Sequence, residues 1–389
     1  MDVLELTGEL VAVDSQNPGA GEPEIAGRLE QIATEQGFEF ARFEPVTGRP
    51  NAMLSVDRGP GPQLALCGHI DTKPVGDALA EWTSDPLELR IADDRAFGLG
   101  TSDMKGAVAA MLCALENFAR SGPPGRLSVL LTADEEQGSE AGSKALVASG
   151  ELPDFDAMVI GEPSGLSRPW EALYLISRGI CAFDIEIRTR QGHSGLSEQL
   201  GRNAVLVAAD VLHALERFSP PHPNGPEPTV NPGMLIGGGV CMGTWPGACT
   251  IGCEIRLVPG MDQDAVRSAL ERAVTAAVGD QGSATIRYRE GSLGWMPAAA
   301  LDPQSPVVHA AQRAATRVLG GPLPVTAYPG GTDATYFMQA GIPAITSLGP
   351  GWLSVAHGPD ECVGIDQLYA AVDLYTALSA EFLTRGSRK

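Results

Sequence analysis

Leu64-Ala65-Leu66-Cys67-Gly68-His69-Ile70-Asp71-Thr72 runs from four apolar residues straight into glycine, histidine and aspartate. The apolar part predicts a short strand buried in a sheet, and the polar part predicts a site where that strand ends. The same arrangement recurs along the chain. Leu127 to Thr132 leads into Asp134-Glu135-Glu136, and Ala157 to Ile160 into Gly161-Glu162-Pro163. Less directly, Ile342 to Ser347 precedes Ala356-His357-Gly358. A fifth cluster, Gly100 to Gly106, opens a helix predicted over Met104 to Arg120, where Val108, Met111, Leu112, Leu115 and Phe118 share one face. Strand and helix signals alternate, which predicts an α/β domain. Ligands of such sheets bind beyond the carboxyl ends of the strands, so parallel strands would gather these clusters in one place.

Taken singly, each cluster has an ordinary explanation. A histidine after a strand is commonly a hydrogen-bonded structural residue, a Glu-Glu pair a solvated turn, and an Asp before a helix a cap. Asp134-Glu135-Glu136 at the end of an apolar strand resists that explanation, because buried like charges raise one another's pKa unless a positive group lies among them. Two imidazoles with several carboxylates suit Zn²⁺, Co²⁺ or Mn²⁺.

The rhythm changes between residues 172 and 290. Ile180 to Arg188 alternates, with Phe183, Ile185 and Ile187 on one face, and Asn203 to Phe218 reads as a helix. Val230 to Ile236 and Thr250 to Leu257 read as strands. Gln263 to Val278 reads as a helix capped by Asp262, and Ser283 to Tyr288 as a closing strand. The order β-α-β-β-α-β predicts a ferredoxin-like insertion, with Pro220 to Pro232 as a long loop inside it. Around it, 1–171 and 291–389 read as the two parts of one domain, the one that carries the polar clusters. The first part contains a helix over Glu22 to Gly37, and the second contains helices over Pro303 to Leu319 and Asp366 to Leu383.

The 389 residues exceed one ordinary core. A net charge of −21 opposes a nucleic-acid partner. No apolar run is long enough for a membrane helix, and the acidic start (Asp2, Glu5, Glu9) does not resemble a signal peptide. Seven scattered cysteines without a CxxC fit reduced thiols and a cytoplasmic location. Cys249 and Cys253 are read as buried strand residues, with metal binding as the alternative.

Seven motifs together resemble the M20 family of metallopeptidases and deacylases, the group of acetylornithine deacetylase, succinyl-diaminopimelate desuccinylase and carboxypeptidase G2. They are GHIDT (68–72), GLGTSDMKG (98–106), TADEEQGS (132–139), GEPS (161–164), GHSG (192–195), GGTDA (330–334) and HGPDE (357–361). The resemblance spans nearly the whole chain and implies a mixed-sheet α/β metallohydrolase domain with an inserted ferredoxin-like lid. It implies two Zn²⁺ per subunit, with Co²⁺ or Mn²⁺ as alternatives. His69, Asp103 and Glu162 would bind one ion, and Asp103, Glu136 and His357 the other. Asp71 would orient His69, with a turn-forming role as the alternative, and Glu135 would be the general base.

His193 would act across a homodimer on the partner subunit's reaction, unless it is a plain surface-loop residue. Arg256 would bind a substrate carboxylate, unless it simply faces solvent. Thr332 and Asp333 would line the substrate pocket. The implied reaction is removal of an acyl group from a small N-acyl amino acid. A dipeptidase or carboxypeptidase is the alternative, and a non-catalytic relative is disfavoured because every ligand and Glu135 are present. Two departures from the family pattern bear on substrate choice. Thr72-Lys73-Pro74-Val75 follows Asp71 where many relatives have Asp-x-Val-Pro, and Gly243-Thr244-Trp245-Pro246 stands where many have Asn-x-x-Pro.

Overall fold

The computed structural model describes residues 1–19 and 21–385. It divides into two units. One comprises Met1–Ser177, Ala300–Tyr328 and the described residues from Thr332 onward; the other comprises Arg178–Ala299 and Pro329–Gly331.

The first unit is built on a six-stranded mixed sheet. Its spatial order is Glu39–Val46, Arg49–Asp57, Arg126–Thr132, Gln63–His69, Ala157–Ile160, Ala344–Ile345. The last four strands are mutually parallel. The first two are antiparallel additions. Leu64 and Leu66 enter the core on one face, while Ala65 and Cys67 enter the core on the other. Burial on both faces explains why this strand is a continuous apolar run rather than an alternating one. The Lys105–Ser121 helix packs against the Val3–Val11 and Ile365–Arg385 helices over one face of the sheet, and Val108, Met111, Leu112, Leu115 and Phe118 are all buried there.

Two glycines set how closely that helix approaches the strand ends. A Cβ on Gly68 would come within 2.6 Å of Met104 Cε, and one on Gly161 within 2.2 Å of Met111 Cε. Each glycine immediately precedes a predicted ligand, His69 or Glu162, so the helix start can sit beside both.

The second unit carries a four-stranded antiparallel sheet in the order Thr229–Gly238, Ala248–Leu257, Gly179–Arg188, Ser283–Tyr288. With the Ala204–Leu215 and Gln263–Val278 helices this is the split βαβ arrangement. Phe183, Ile185, Ile187, Ile251, Cys253, Ile255 and Leu257 face Val266, Leu270 and Val274 in one buried cluster.

Several boundaries differ from the sequence expectations. Leu173–Ser177 is a strand of the first unit, where it pairs with Val325–Ala327 and Leu173 and Leu175 join the main core. The first junction therefore falls at 177/178 and the second at 299/300. The expected loop over 220–232 gives way at Thr229 to a strand, with a register irregularity between Asn231 and Leu235. Pro232 lacks an N–H and is tolerated there because the strand lies at the sheet edge. The helix expected from Pro303 begins at Pro306, in the first turn where proline lacks nothing. Among the described residues no helix is long and apolar enough to cross a membrane.

Candidate metal centre

The parallel strands end on one side, and the polar clusters converge there. Asp103 lies at the middle of them. His69 Nε2 is 3.0 Å from Asp103 Oδ1, and His357 Nε2 is 3.2 Å from Asp103 Oδ2. Glu162 Oε1 is 3.6 Å from His69 Nε2, and Glu136 Oε1 is 3.3 Å from His357 Nε2. Among the described residues, two sets of potential donors each have their atoms within 4.8 Å of one another: His69, Glu135 and Glu162, and His69, Asp103 and Glu136. Glu135 is thus within reach of a cation held by His69 and Glu162.

The ring of His69 is held by the backbone carbonyl of Asp71, 2.8 Å from Nδ1. Nδ1–H pointing at that carbonyl leaves Nε2 directed at Asp103 and Glu162, as a metal ligand requires. The carboxylate of Asp71 lies 3.7 Å from Nδ1 and is engaged elsewhere. It accepts hydrogen bonds from the Glu135 and Glu136 N–H groups at 3.2 Å each and from Asn17 Nδ2 at 2.8 Å. Asp71 therefore also fixes the turn that presents the two glutamates.

That turn has further supports that the sequence reading did not single out. Asp134 stands at φ 63°, in left-handed backbone. It is held by Asn17 Nδ2 at 3.0 Å, Arg49 Nη2 at 3.0 Å and the Ala141 N–H at 3.0 Å. Arg49 also pairs with buried Glu22, whose Oε1 accepts the Asp134 N–H at 3.0 Å. On the opposite side, Glu361 accepts the N–H groups of Gly100, Ser102 and Asp103 at 2.9 Å each, and burial pushes its carboxyl up to about 7. Glu361 closes the motif HGPDE, which was the available signal for it. Tyr328 Oη donates to Glu162 Oε2 at 3.4 Å.

Lys73 is not an open cation. Its Nζ lies 3.2 Å from Glu136 Oε2 and also meets the Glu136 carbonyl, and its backbone N–H donates to Glu136 Oε1 at 3.2 Å. Thr332 is buried, its N–H bonded to Ser177 Oγ at 2.9 Å. The Asp333 carboxylate accepts hydrogen bonds from Thr132, Ser139 and Ser143 hydroxyls. In the second unit, exposed His193 accepts the Gly195 N–H on Nδ1 at 3.1 Å. Arg256 pairs with Glu254 at 2.9 Å, and Trp245 donates to the Gly201 carbonyl at 3.2 Å. Cys249 and Cys253 are buried, with thiols pushed up by desolvation.

Charge makes the centre a cation site. Burial pushes the Glu135 and Glu162 carboxyls well above their usual range, and neighbouring carboxylates add to it. Burial also lifts Asp71 to about 6. Burial alone would lower His357, but Asp103 and Glu136 hold it up to about 10. Five carboxylates crowd two imidazoles and one ammonium, and protons or bound cations would offset the excess of negative charge. Nitrogen and oxygen donors of this kind fit divalent transition-metal ions.

A mixed-sheet α/β unit with imidazole and carboxylate donors at its strand ends has the architecture of a metallohydrolase. The chain belongs to peptidase family M20/M25/M40, whose model matches residues 65–381. It is an amidohydrolase of that family. It is 31% identical to a succinyl-diaminopimelate desuccinylase of Stenotrophomonas maltophilia over 98% of this chain and 99% of the relative. It is 32% identical to an acetylornithine deacetylase of Edwardsiella ictaluri over 93% of this chain and 90% of that protein. Its fold resembles that of an M20 metallo-carboxypeptidase from Sulfolobus solfataricus, with a TM-score of 0.82, 20% identity and coverage of 99% and 100% of the two chains.

Proposed function

We propose that this protein removes the acyl group from a small N-acyl amino acid by hydrolysing its amide bond, with two Zn²⁺ ions bound per subunit and Co²⁺ or Mn²⁺ as substitutes. The position of Asp103 between His69 and His357 carries this reading, because one carboxylate with an imidazole at each oxygen is suited to join two ions. His69 and Glu162 would complete one site, and Glu136 and His357 the other. Ions bound there supply Lewis acidity to a carbonyl oxygen and lower the pKa of a coordinated water towards neutrality.

Glu135 takes a proton from the attacking water and delivers it to the leaving nitrogen. Its neighbour Glu136 cannot share that task, because Lys73 and His357 engage its carboxylate. Arg256, paired with Glu254, would be the group that recognises a substrate carboxylate. Thr332 would line the substrate pocket. The deacylase reading is favoured over a peptidase by two relatives above 30% identity, a desuccinylase and a deacetylase. The thiols support a reducing, cytoplasmic setting, since all seven cysteines are free.

The working assembly is a homodimer. Met234, Leu235 and Ile236 are about 60% exposed on the outermost strand of the second unit's sheet. An apolar sheet edge of this kind is suited to pair with a second copy. His193, with Nδ1 tied to Gly195, presents Nε2 as a donor to the oxyanion on the partner subunit. His193→Ala is expected to lower kcat by about 10²-fold while metal content stays unchanged. Mixed with Glu135→Gln subunits, it is expected to recover roughly a quarter of wild-type activity, the share of intact sites after random reassortment of a dimer. Full activity of His193→Ala alone would remove the donor role; no recovery on mixing, with exchange of subunits demonstrated, would remove its action across the dimer.

The overall reading is tested by hydrolysis of N-acetyl, N-succinyl and N-formyl amino acids and of dipeptides, by protein loaded with Zn²⁺ or Co²⁺ against a chelator-treated control. Metal-dependent turnover of one acyl class is expected. Turnover of dipeptides alone would replace deacylase with peptidase.

A further inference from the structure

We infer that Asp333 is a positioning residue that sets the turn presenting Glu135 and Glu136, rather than a group that meets substrate; this rests on the hydrolase reading above. Asp333 is 2% exposed. Its Oδ2 accepts from Thr132 Oγ1 at 2.7 Å, and its Oδ1 accepts from Ser139 Oγ at 2.6 Å and Ser143 Oγ at 2.5 Å. Thr132 is the last residue of a central strand, and Ser143 is the first of the Ser143–Ser149 helix. One carboxylate therefore ties together both ends of the segment that carries the two glutamates.

The segment needs external support. Asp134, Gly138 and Ser139 all have positive φ, at 63°, 101° and 63°. For aspartate and serine that backbone is disfavoured and persists only where surrounding contacts impose it. Three hydroxyl donors on one desolvated carboxylate are short, charge-assisted bonds with defined directions. They occupy both oxygens of Asp333. Asp71 and Arg49 hold the middle of the same segment, and Asp333 holds its two ends.

The test compares Asp333→Asn, the pair Ser139→Ala/Ser143→Ala, and all three changes together. The measurements are kcat, KM, thermal midpoint and stepwise metal binding by calorimetry. Either change alone is expected to lower kcat on the order of 10–100-fold, the loss that follows a misplaced catalytic group. KM should stay within about threefold of wild type. The combined variant should lose little more than the worse of the two, because both remove one shared interaction. One of the two metal-binding steps, the one that uses Glu136, should weaken while the other is retained. A raised KM in Asp333→Asn with a wild-type serine pair would overturn the proposal in favour of a substrate contact. Lower thermal midpoints with unchanged kcat and metal binding would overturn it in favour of a merely structural role. If wild-type protein hydrolyses no amide, the hydrolase reading fails, and the metal-binding steps still decide whether Asp333 positions Glu136.

Discussion

Glu135→Gln is expected to lower kcat by about 10³-fold, or about 4 kcal/mol of transition-state stabilisation, with KM little changed. The substitution keeps the shape of the side chain and removes only its capacity to take and return a proton. The backbone N–H of residue 135 would still reach Asp71, so the turn should survive. Metal content, measured by plasma mass spectrometry, is expected to remain near two ions per chain. The result matters because Glu135 lies within ligand range of His69 and Glu162. Loss of an ion in Glu135→Gln would make this side chain a ligand and leave the base unassigned. Retention of both ions with turnover intact would eliminate Glu135 as the base.

Asp103→Ala is expected to abolish activity and to empty the metal centre. Each of its oxygens faces a different imidazole, so one truncation removes a ligand from both sites. Burial opposes the charge of Asp103, yet bonds from His357 and His69 hold its carboxyl well below the usual range. Without it His69 would keep Glu162 as its nearer carboxylate and His357 would keep Glu136, with no group in hydrogen-bond contact with both rings. The affinity loss should exceed the roughly 10–100-fold that follows removal of a ligand's outer hydrogen-bond partner. Titration of the metal-free variant with Zn²⁺ should give no tight binding step. Two tight steps would show that Asp103 is not shared, and the two-ion reading would lose its main support. The variant's thermal midpoint serves as a control for folding, since Glu361 continues to hold the N–H of residue 103.

Much of the centre was legible in the chain because its residues follow directly on short-range patterns. An apolar strand that ends in Gly68-His69, Gly161-Glu162 or Ala133-Asp134-Glu135-Glu136 reveals both the strand and what it delivers. The long helices were likewise legible, since Gln263–Val278 and Lys105–Ser121 repeat apolar residues at helical spacing. The outer strand Glu39–Val46 was not, because all of its residues are exposed or half-buried and form no apolar run. Leu173–Ser177 was assigned to the wrong side of a junction because a buried strand reads the same in either unit.

The supports of the site were beyond reach for a different reason. Arg49 and Asp134 are 85 positions apart, Asp333 and Thr132 are 201 apart, and Glu361 and Gly100 are 261 apart. Lys73 belongs to a departure from the family pattern, and only the fold sets its ammonium on Glu136. Asp333 looked like pocket lining until three hydroxyls were found on its carboxylate.

By itself the sequence determined the long helices, the buried parallel strands and the family, because those depend on periodicity and on motifs a few residues long. Only the tertiary structure decided which carboxylate faces two imidazoles, which ones carry the Glu135–Glu136 turn, and which of them is bound on both oxygens by hydroxyls of that segment. Those roles depend on hydrogen bonds about 3 Å long between residues far apart in the chain, and no local pattern encodes such a distance.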